Sequence, residues 1–287
     1  MKVTCAAVQH ACGPDINRNL DTVERLIRAA AAQGANIVLP QEMSAHRFFA
    51  NMNCQSEFFA LAETVEKSPI LARMRGLARE LGVVIPFNFF ERAGQAYFNS
   101  NVIINADGTD AGIYRKMHIP MGQPSCYEKY YFSPGDTGFE PFDTDFGRLG
   151  CAVCWDQWFP ETARIMVLKG ADILFYPTAI GSDCHEHWET AMRGHSASNI
   201  VPVVASNRIG PETYDQHKTD FWGGSFITDH RGSVVAKADN KEAVILAQTD
   251  LEENRRLRAD WAMFRDRRVD AYGPLLSLTG EIPTIGR

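Results

Sequence analysis

Three residues of this chain are of types that can together attack a carbonyl: Cys154, Glu42 and Lys116. Cys154 lies in a run from Arg148 to Glu161 where an apolar strand pattern stops and a proline-started helix begins. A thiol there projects from a strand end, where α/β folds keep their nucleophiles. The string Leu39-Pro-Gln-Glu42 sets a carboxylate at the end of another apolar strand, and Tyr114-Arg-Lys-Met-His118 sets an ammonium after a third. A thiol attacks a carbonyl as the thiolate, so Glu42 is expected to take its proton, while the ammonium and the following helix N-terminus are expected to lower its pKa. Lys116 and a backbone N–H following Cys154 suit the oxyanion that the attack creates.

Taken singly, each residue has a plainer use: a small buried hydrophobe, a helix cap and a solvated strand-end charge. The set of three carries the chemical reading. Cys151 and Cys154 also form a C-x-x-C, but strand residues three apart face opposite sides of a sheet, and no second pair completes a tetrahedral zinc set. Neither a metal nor an organic cofactor is expected.

The elements that must position these groups can be read from periodicity. Residues 3–9 read as a buried strand, residues 17–34 as a helix with Leu20, Val23, Leu26 and Ile27 on one side, and residues 36–40 as the next strand. This β-α-β opening leaves Glu42 just past a strand's carboxyl end. A helix over 68–81 leads to a strand over 82–88, and strands over 96–105 and 109–115 are joined by Ala106-Asp-Gly108, an Asp-Gly hairpin signal. Residues 117–138 read as a long functional loop. Then come a strand over 148–154, a helix over 159–169, a strand over 172–176, a helix over 185–199 and a strand over 201–206. Hairpin grammar returns over 224–248, so mixed sheets are implied. The tail over 251–287 carries Trp261, Phe264 and Tyr272 among its arginines, more than a solvated terminus needs, and is expected to pack on a partner subunit.

Composition narrows the class. The chain has 287 residues, 45% of them hydrophobic and 22% charged, without a repeat or a linker-like tract, and reads as one domain. Its net charge of −6 comes with scattered Lys and Arg, so no basic stripe suggests nucleic acid or an anionic membrane. No uncharged run approaches the roughly 18 to 20 apolar residues of a membrane helix. Seven cysteines without a signal peptide suggest reduced thiols and a cytoplasmic protein.

On these strings the chain resembles the nitrilase, or carbon–nitrogen hydrolase, superfamily over nearly its whole length. Beyond the three catalytic strings, the likeness rests on Tyr97-Phe-Asn-Ser100, Glu128-Lys-Tyr-Tyr-Phe132 with Pro134-Gly-Asp136, Tyr176-Pro-Thr-Ala-Ile-Gly181, Val204-Ala-Ser-Asn-Arg-Ile-Gly210 and Phe264-Arg-Asp-Arg-Arg268. The resemblance implies a four-layer α-β-β-α sandwich with two mixed sheets. It also implies Glu42 as general base, Lys116 as oxyanion-stabilising cation, Cys154 as nucleophile and Glu128 as a second active-site carboxylate that orients Lys116 or a substrate nitrogen. Members commonly pair subunits, so a homodimer or larger homo-oligomer is expected.

The later strings are similar to those of the group acting on N-carbamoylputrescine. They imply its hydrolysis to putrescine, carbon dioxide and ammonia, a step in polyamine synthesis from agmatine. Trp155, Asp183 and His187 are then the expected substrate-binding residues, with Asp183 meeting the distal ammonium. The chain departs from that group at Met121-Gly122 and in the abbreviated stretch Asp183-Cys-His-Glu-His187. A carbamoyl-amino-acid or ω-amide hydrolase of the same superfamily is the rival reading, and would need Arg193 or Arg208 for a substrate carboxylate. A catalytically idle scaffold or amine-binding homologue would have no use for the set of three.

Overall fold

Both faces of the first strand are buried, and its alternating side chains serve two different cores. In β1 (Lys2–Gln9), Val3, Cys5 and Ala7 point into a layer between two sheets, whereas Ala6 and Val8 point outward beneath helices. The computed structural model describes residues 1–122, 126–214 and 217–281. After β1 come α1 (Ile16–Ala32), β2 (Ile37–Pro40), α2 (Pro69–Leu81), β3 (Ile85–Ala93), β4 (Ala96–Ile104) and β5 (Asp110–Arg115). There follow α3 (Glu128–Tyr131), β6 (Phe142–Thr144), β7 (Gly147–Cys151), α4 (Pro160–Leu168), β8 (Ile173–Pro177) and α5 (His185–Asn199). The described chain closes with β9 (Val203–Ser206), β10 (Ile209–Tyr214), β11 (His217–Trp222), β12 (Phe226–Thr228), β13 (Val234–Lys237), β14 (Ala243–Asp250) and α6 (Leu251–Trp261).

Strands β14, β1 and β2 pair in that order, and β3, β4 and β5 form a meander. The Val38 amide donates to the Val84 carbonyl and the Val84 amide to Asn36, both at 2.9 Å, so the two sets join into one sheet. The second sheet runs β13-β12-β9-β8-β7-β6, parallel through β7, β8 and β9 and antiparallel at its edges. Leu39, Ile103, Cys151, Phe175 and Val204 fill the layer between the sheets. Leu20, Val23 and Ile27 of α1, with Leu71 and Met74 of α2, cover one outer face, and Met166 of α4 with Trp188 and Met192 of α5 cover the other. These are the four layers expected from the sequence.

Local signals account for the helix ends. Asp15 accepts from the Arg18 amide and Ser68 from the Leu71 amide, as N-caps do, and Gly82 ends α2 in the left-handed region at φ 65°.

The structure departs from the sequence reading in four places. The strand expected over 82–88 starts at Ile85 and runs on to Ala93, because it pairs along its whole length with β4. The strand expected to reach Cys154 stops at Cys151, and Cys154 instead opens a 3-10 turn, Cys154–Trp158. Ile209–Tyr214 and His217–Trp222, unassigned from sequence, pair as the antiparallel strands β10 and β11 outside both sheets. The tail begins as α6, capped by Asp250 through the Glu252 and Glu253 amides. Within the expected long loop, α3 forms one short turn. Past it, Gly135 has no room for a side chain, since a Cβ there would lie 2.1 Å from the Arg115 carbonyl oxygen. Among the described residues, no helix is long and apolar enough to cross a membrane.

Candidate active site

Glu42 stands two residues beyond β2, where the side-chain amide of Gln41 keeps the extended chain in register by pairing with both backbone groups of His10 at 2.7 and 2.8 Å. The Glu42 amide donates across to the Thr178 carbonyl at 3.3 Å, so the residue bridges the carboxyl ends of β2 and β8. Lys116 leaves β5 with its amide on Asn99 of β4 at 2.9 Å and its carbonyl accepting from Gly135 at 2.8 Å. Its ammonium is fully buried between two carboxylates, 2.6 Å from Glu128 and 3.1 Å from Glu42.

The Asn99 side chain donates to the same Glu42 oxygen, Oε1, at 2.7 Å. Asn88 donates to Asn99 at 2.8 Å and accepts from the Met43 amide at 2.8 Å. Oε1 of Glu42 is thus held by two donors, while Oε2 is buried without a hydrogen-bond partner among the described residues. One oxygen fixes the carboxylate and the other is free to accept a proton.

Cys154 follows the end of β7 in the left-handed region, with φ at 45°. That conformation is costly for a residue with a Cβ and persists only where its surroundings impose it. Here Asp156, fully buried, accepts from the Val153 amide at 3.0 Å, the Tyr114 hydroxyl at 2.7 Å and both the amide and ring nitrogen of His118, at 2.9 and 2.7 Å. One carboxylate thus ties the Cys154 turn to the segment that carries Lys116.

The electrostatics differ from the sequence expectation. Burial raises the Cys154 thiol well above its usual pKa and the Glu42 charge raises it further, against the pull of Lys116 and a backbone hydrogen bond with Ala179. No long helix begins behind the thiol to oppose this, since α4 starts only at Pro160. The balance favours the protonated form of the Cys154 thiol. Burial also raises Glu128, to about 7, against the lowering effect of Lys116. Desolvation opposes the Lys116 charge, but the flanking carboxylates outweigh it and hold the ammonium well above its usual range.

A cavity of about 770 Å³ opens above this cluster. Cys154 and Glu128 lie on its wall, with Trp155, Trp158 and His187 on one side and Lys218, Asp220 and Phe221 of β11 on another. Trp155 and His187, expected from the resemblance to bind substrate, both line this cavity. The Asp183 side chain is exposed and does not line the cavity. The shortened loop carries it past the wall, and the aspartate on the wall is Asp220. Arg193 donates to the Gly232 carbonyl away from the cavity, and the Arg208 guanidinium is consumed by backbone carbonyls and Glu212. Cys151 lies in the layer between the sheets beside the Asn101 amide, with burial pushing its thiol up to about 12.

Sequence reasoning missed Asn88, Asn99, Asp156 and the hairpin residues. The available signal was polar residues inside apolar strands: Asn99, Ser100 and Asn101 interrupt Phe98 and Val102, and a buried polar side chain must have a partner.

The carbon-nitrogen hydrolase family model matches residues 4–259. An N-carbamoylputrescine amidase of Arabidopsis thaliana is 51% identical, over 98% of this chain and 97% of its own. A citrullinase of Francisella tularensis is 43% identical, over 96% of this chain and 98% of its own. A crystal structure of a carbon-nitrogen hydrolase from Helicobacter pylori superposes with a TM-score of 0.91 at 40% identity, covering 97% of this chain and 99% of that one.

Proposed function

Because the chain belongs to the carbon–nitrogen hydrolase family, we propose that it hydrolyses N-carbamoylputrescine to putrescine, carbon dioxide and ammonia, with Cys154 as nucleophile. The observation that carries the catalytic reading is the pairing of a buried thiol with a carboxylate whose second oxygen is free. Glu42 takes the thiol proton through Oε2 as sulfur attacks the ureido carbon, so the thiolate forms during the step instead of waiting at rest. The carbonyl oxygen gains the negative charge beside the Lys116 ammonium and the backbone N–H following Cys154, in a site without bulk water. Ammonia leaves with the proton returned by Glu42, and the amine-bearing carbamoyl group stays on sulfur. Water deprotonated by Glu42 then frees the carbamate, which loses carbon dioxide to leave the diamine. Glu128 holds Lys116 at the oxyanion, and no step calls on a metal or organic cofactor.

The far end of the substrate is assigned to the mouth of the cavity. There Asp220 lies on the wall with its carboxylate 2.9 Å from Lys218, both well exposed, and takes the role expected of Asp183. An ammonium reaching Asp220 pairs with it by displacing Lys218, whereas a carboxylate can turn only to Lys218, whose charge Asp220 already offsets. A second reading is a citrulline-like ureide: a relative bears the name citrullinase, and Lys218 beside Asp220 could meet an amino-acid end with both signs of charge.

Ammonia release from N-carbamoylputrescine, citrulline and N-carbamoyl-γ-aminobutyrate separates these. The expected kcat/KM favours the ammonium-ended ureide over the carboxylate-ended one by about 2- to 5-fold, the size of an exposed charge contact. Asp220→Asn should erode that preference through KM, because the contact is the same in ground and transition states. Citrulline as the best substrate transfers the assignment to the second reading. Equal turnover of the first and third removes the polyamine assignment.

We also propose that residues 1–287 form a single domain that assembles into a homodimer or larger homo-oligomer, with the tail on a neighbouring copy. Val269, Leu275, Leu276 and Leu278 stand exposed near the chain's end, a cost in water that a second subunit would relieve. Replacing the three leucines with serine should yield a smaller species in sedimentation, and an unchanged mass would remove the tail from the interface.

A further inference from the structure

Arg208 is a cation with almost no solvent: its side chain is fully buried between β9 and β10. Its Nη2 donates to three carbonyls of one turn, Glu42 at 2.9 Å, Met43 at 2.8 Å and His46 at 3.0 Å. Its Nη1 donates to Glu212 of β10, whose other oxygen accepts from the Phe48 amide at 2.6 Å. The pair therefore grips the segment from Glu42 to Phe48 at both ends. Within that segment Met43 is in the left-handed region, with φ at 50°.

Three carbonyls converging on one nitrogen would repel one another without the guanidinium, so the turn and the cation depend on each other. Phe48 and Phe221 flank the guanidinium with ring centroids 5.7 and 5.2 Å away, and both also line the cavity. Asn51 reaches Thr219 of β11 at 3.0 Å, a second tie between this segment and the hairpin.

We propose that Arg208 and Glu212 are positioning residues for the Glu42 carboxylate, locking the turn that carries it to the hairpin that walls the substrate cavity. The pair touches no substrate and acts through the backbone of Glu42. A shift of the turn moves the free Oε2 relative to the thiol, and misplacement of about 1 Å can cost on the order of 100-fold. The inference rests on the base role of Glu42.

The test compares Arg208→Lys, Glu212→Gln and Glu42→Gln with N-carbamoylputrescine, at equal concentrations of cooperatively melting protein. Lysine keeps the charge but cannot serve three carbonyls and a carboxylate at once. Glutamine at 212 keeps volume and an acceptor for the Phe48 amide, and is the deciding variant if Arg208→Lys does not fold. The expected result is a kcat about 10-fold lower for Glu212→Gln and about 100-fold lower for Arg208→Lys, with KM within about 3-fold of the original. An unchanged kcat in folded Glu212→Gln, or a loss confined to KM, overturns the positioning role. If Glu42→Gln itself stays active, the base assignment has failed instead, and the two failures are told apart.

Discussion

Cys154→Ala is expected to lower kcat by on the order of 10⁴-fold or more while the protein still melts as a cooperative unit. The loss is large because the thiol takes part in every covalent step. The fold survives because alanine bears the positive φ no worse than cysteine, and because the turn is held by Asp156 and not by the sulfur. Cys154→Ser should be nearly as inactive, since its hydroxyl is a far weaker acid and the buried site offers it no preformed anion. Cys151→Ala is the control. Its thiol faces the layer between the sheets, so the change should lower the melting temperature and leave ammonia release within a few-fold. An active Cys154→Ala protein would show that the nucleophile has been misassigned.

Glu42→Gln is expected to lower kcat by about 10²- to 10⁴-fold, the usual range for a general base, with little change in KM. Glutamine is of the same size and can still accept from Asn99 and Lys116 through its oxygen, so the site is not emptied. What it loses is the free oxygen, and with it the acceptor for the thiol proton and later for the proton of water. Burial raises the thiol's pKa, so without that acceptor the thiolate is harder to form. Single-turnover measurements should find both acylation and release of the carbamate slowed. Retention of more than a tenth of the original kcat would exclude Glu42 as the base.

Much of this architecture was legible because single elements carry their own signals. The helix of Leu20, Val23 and Ile27 has a 3.6-residue period, a capping Asp15 and a terminating Gly34, and the hairpin at Asp107-Gly108 has its turn chemistry written in two residues. Glu42 and Lys116 could be placed at strand ends for the same reason. Cys154 was placed one element too early, because Ala152 and Val153 continue the apolar pattern after the ladder has ended at Cys151. What decides that ending is a hydrogen bond from Val153 to Asp156, invisible to hydropathy.

The misreadings at the cavity mouth have a different origin. Asp183 was expected on the resemblance, in place of an acidic residue at that point of the loop, whereas part of the wall is made by β11, with no apolar alternation to announce it. Arg208 looked like a donor for substrate because arginine is the usual partner of a carboxylate. Only the folded backbone reveals that three carbonyls and Glu212 already use it. The direction of the thiol's pKa shift differs from the expectation in the same way: Lys116 does lower it, but the depth of burial, which dominates, belongs to the packed molecule.

The groups clustered about Cys154 come from different sheets. Glu42 follows β2, Asn99 lies in β4 and Lys116 follows β5 of one, and Cys154 follows β7 of the other. Their separation is therefore tied to the apolar filling between the sheets, which pack about 10 Å apart face to face. Leu39 and Phe175 act as shims in that filling. Enlarging either is expected to shift the spacing of Glu42 and Cys154 along with the melting temperature, which under the proposed mechanism ties turnover to the packing of the interior.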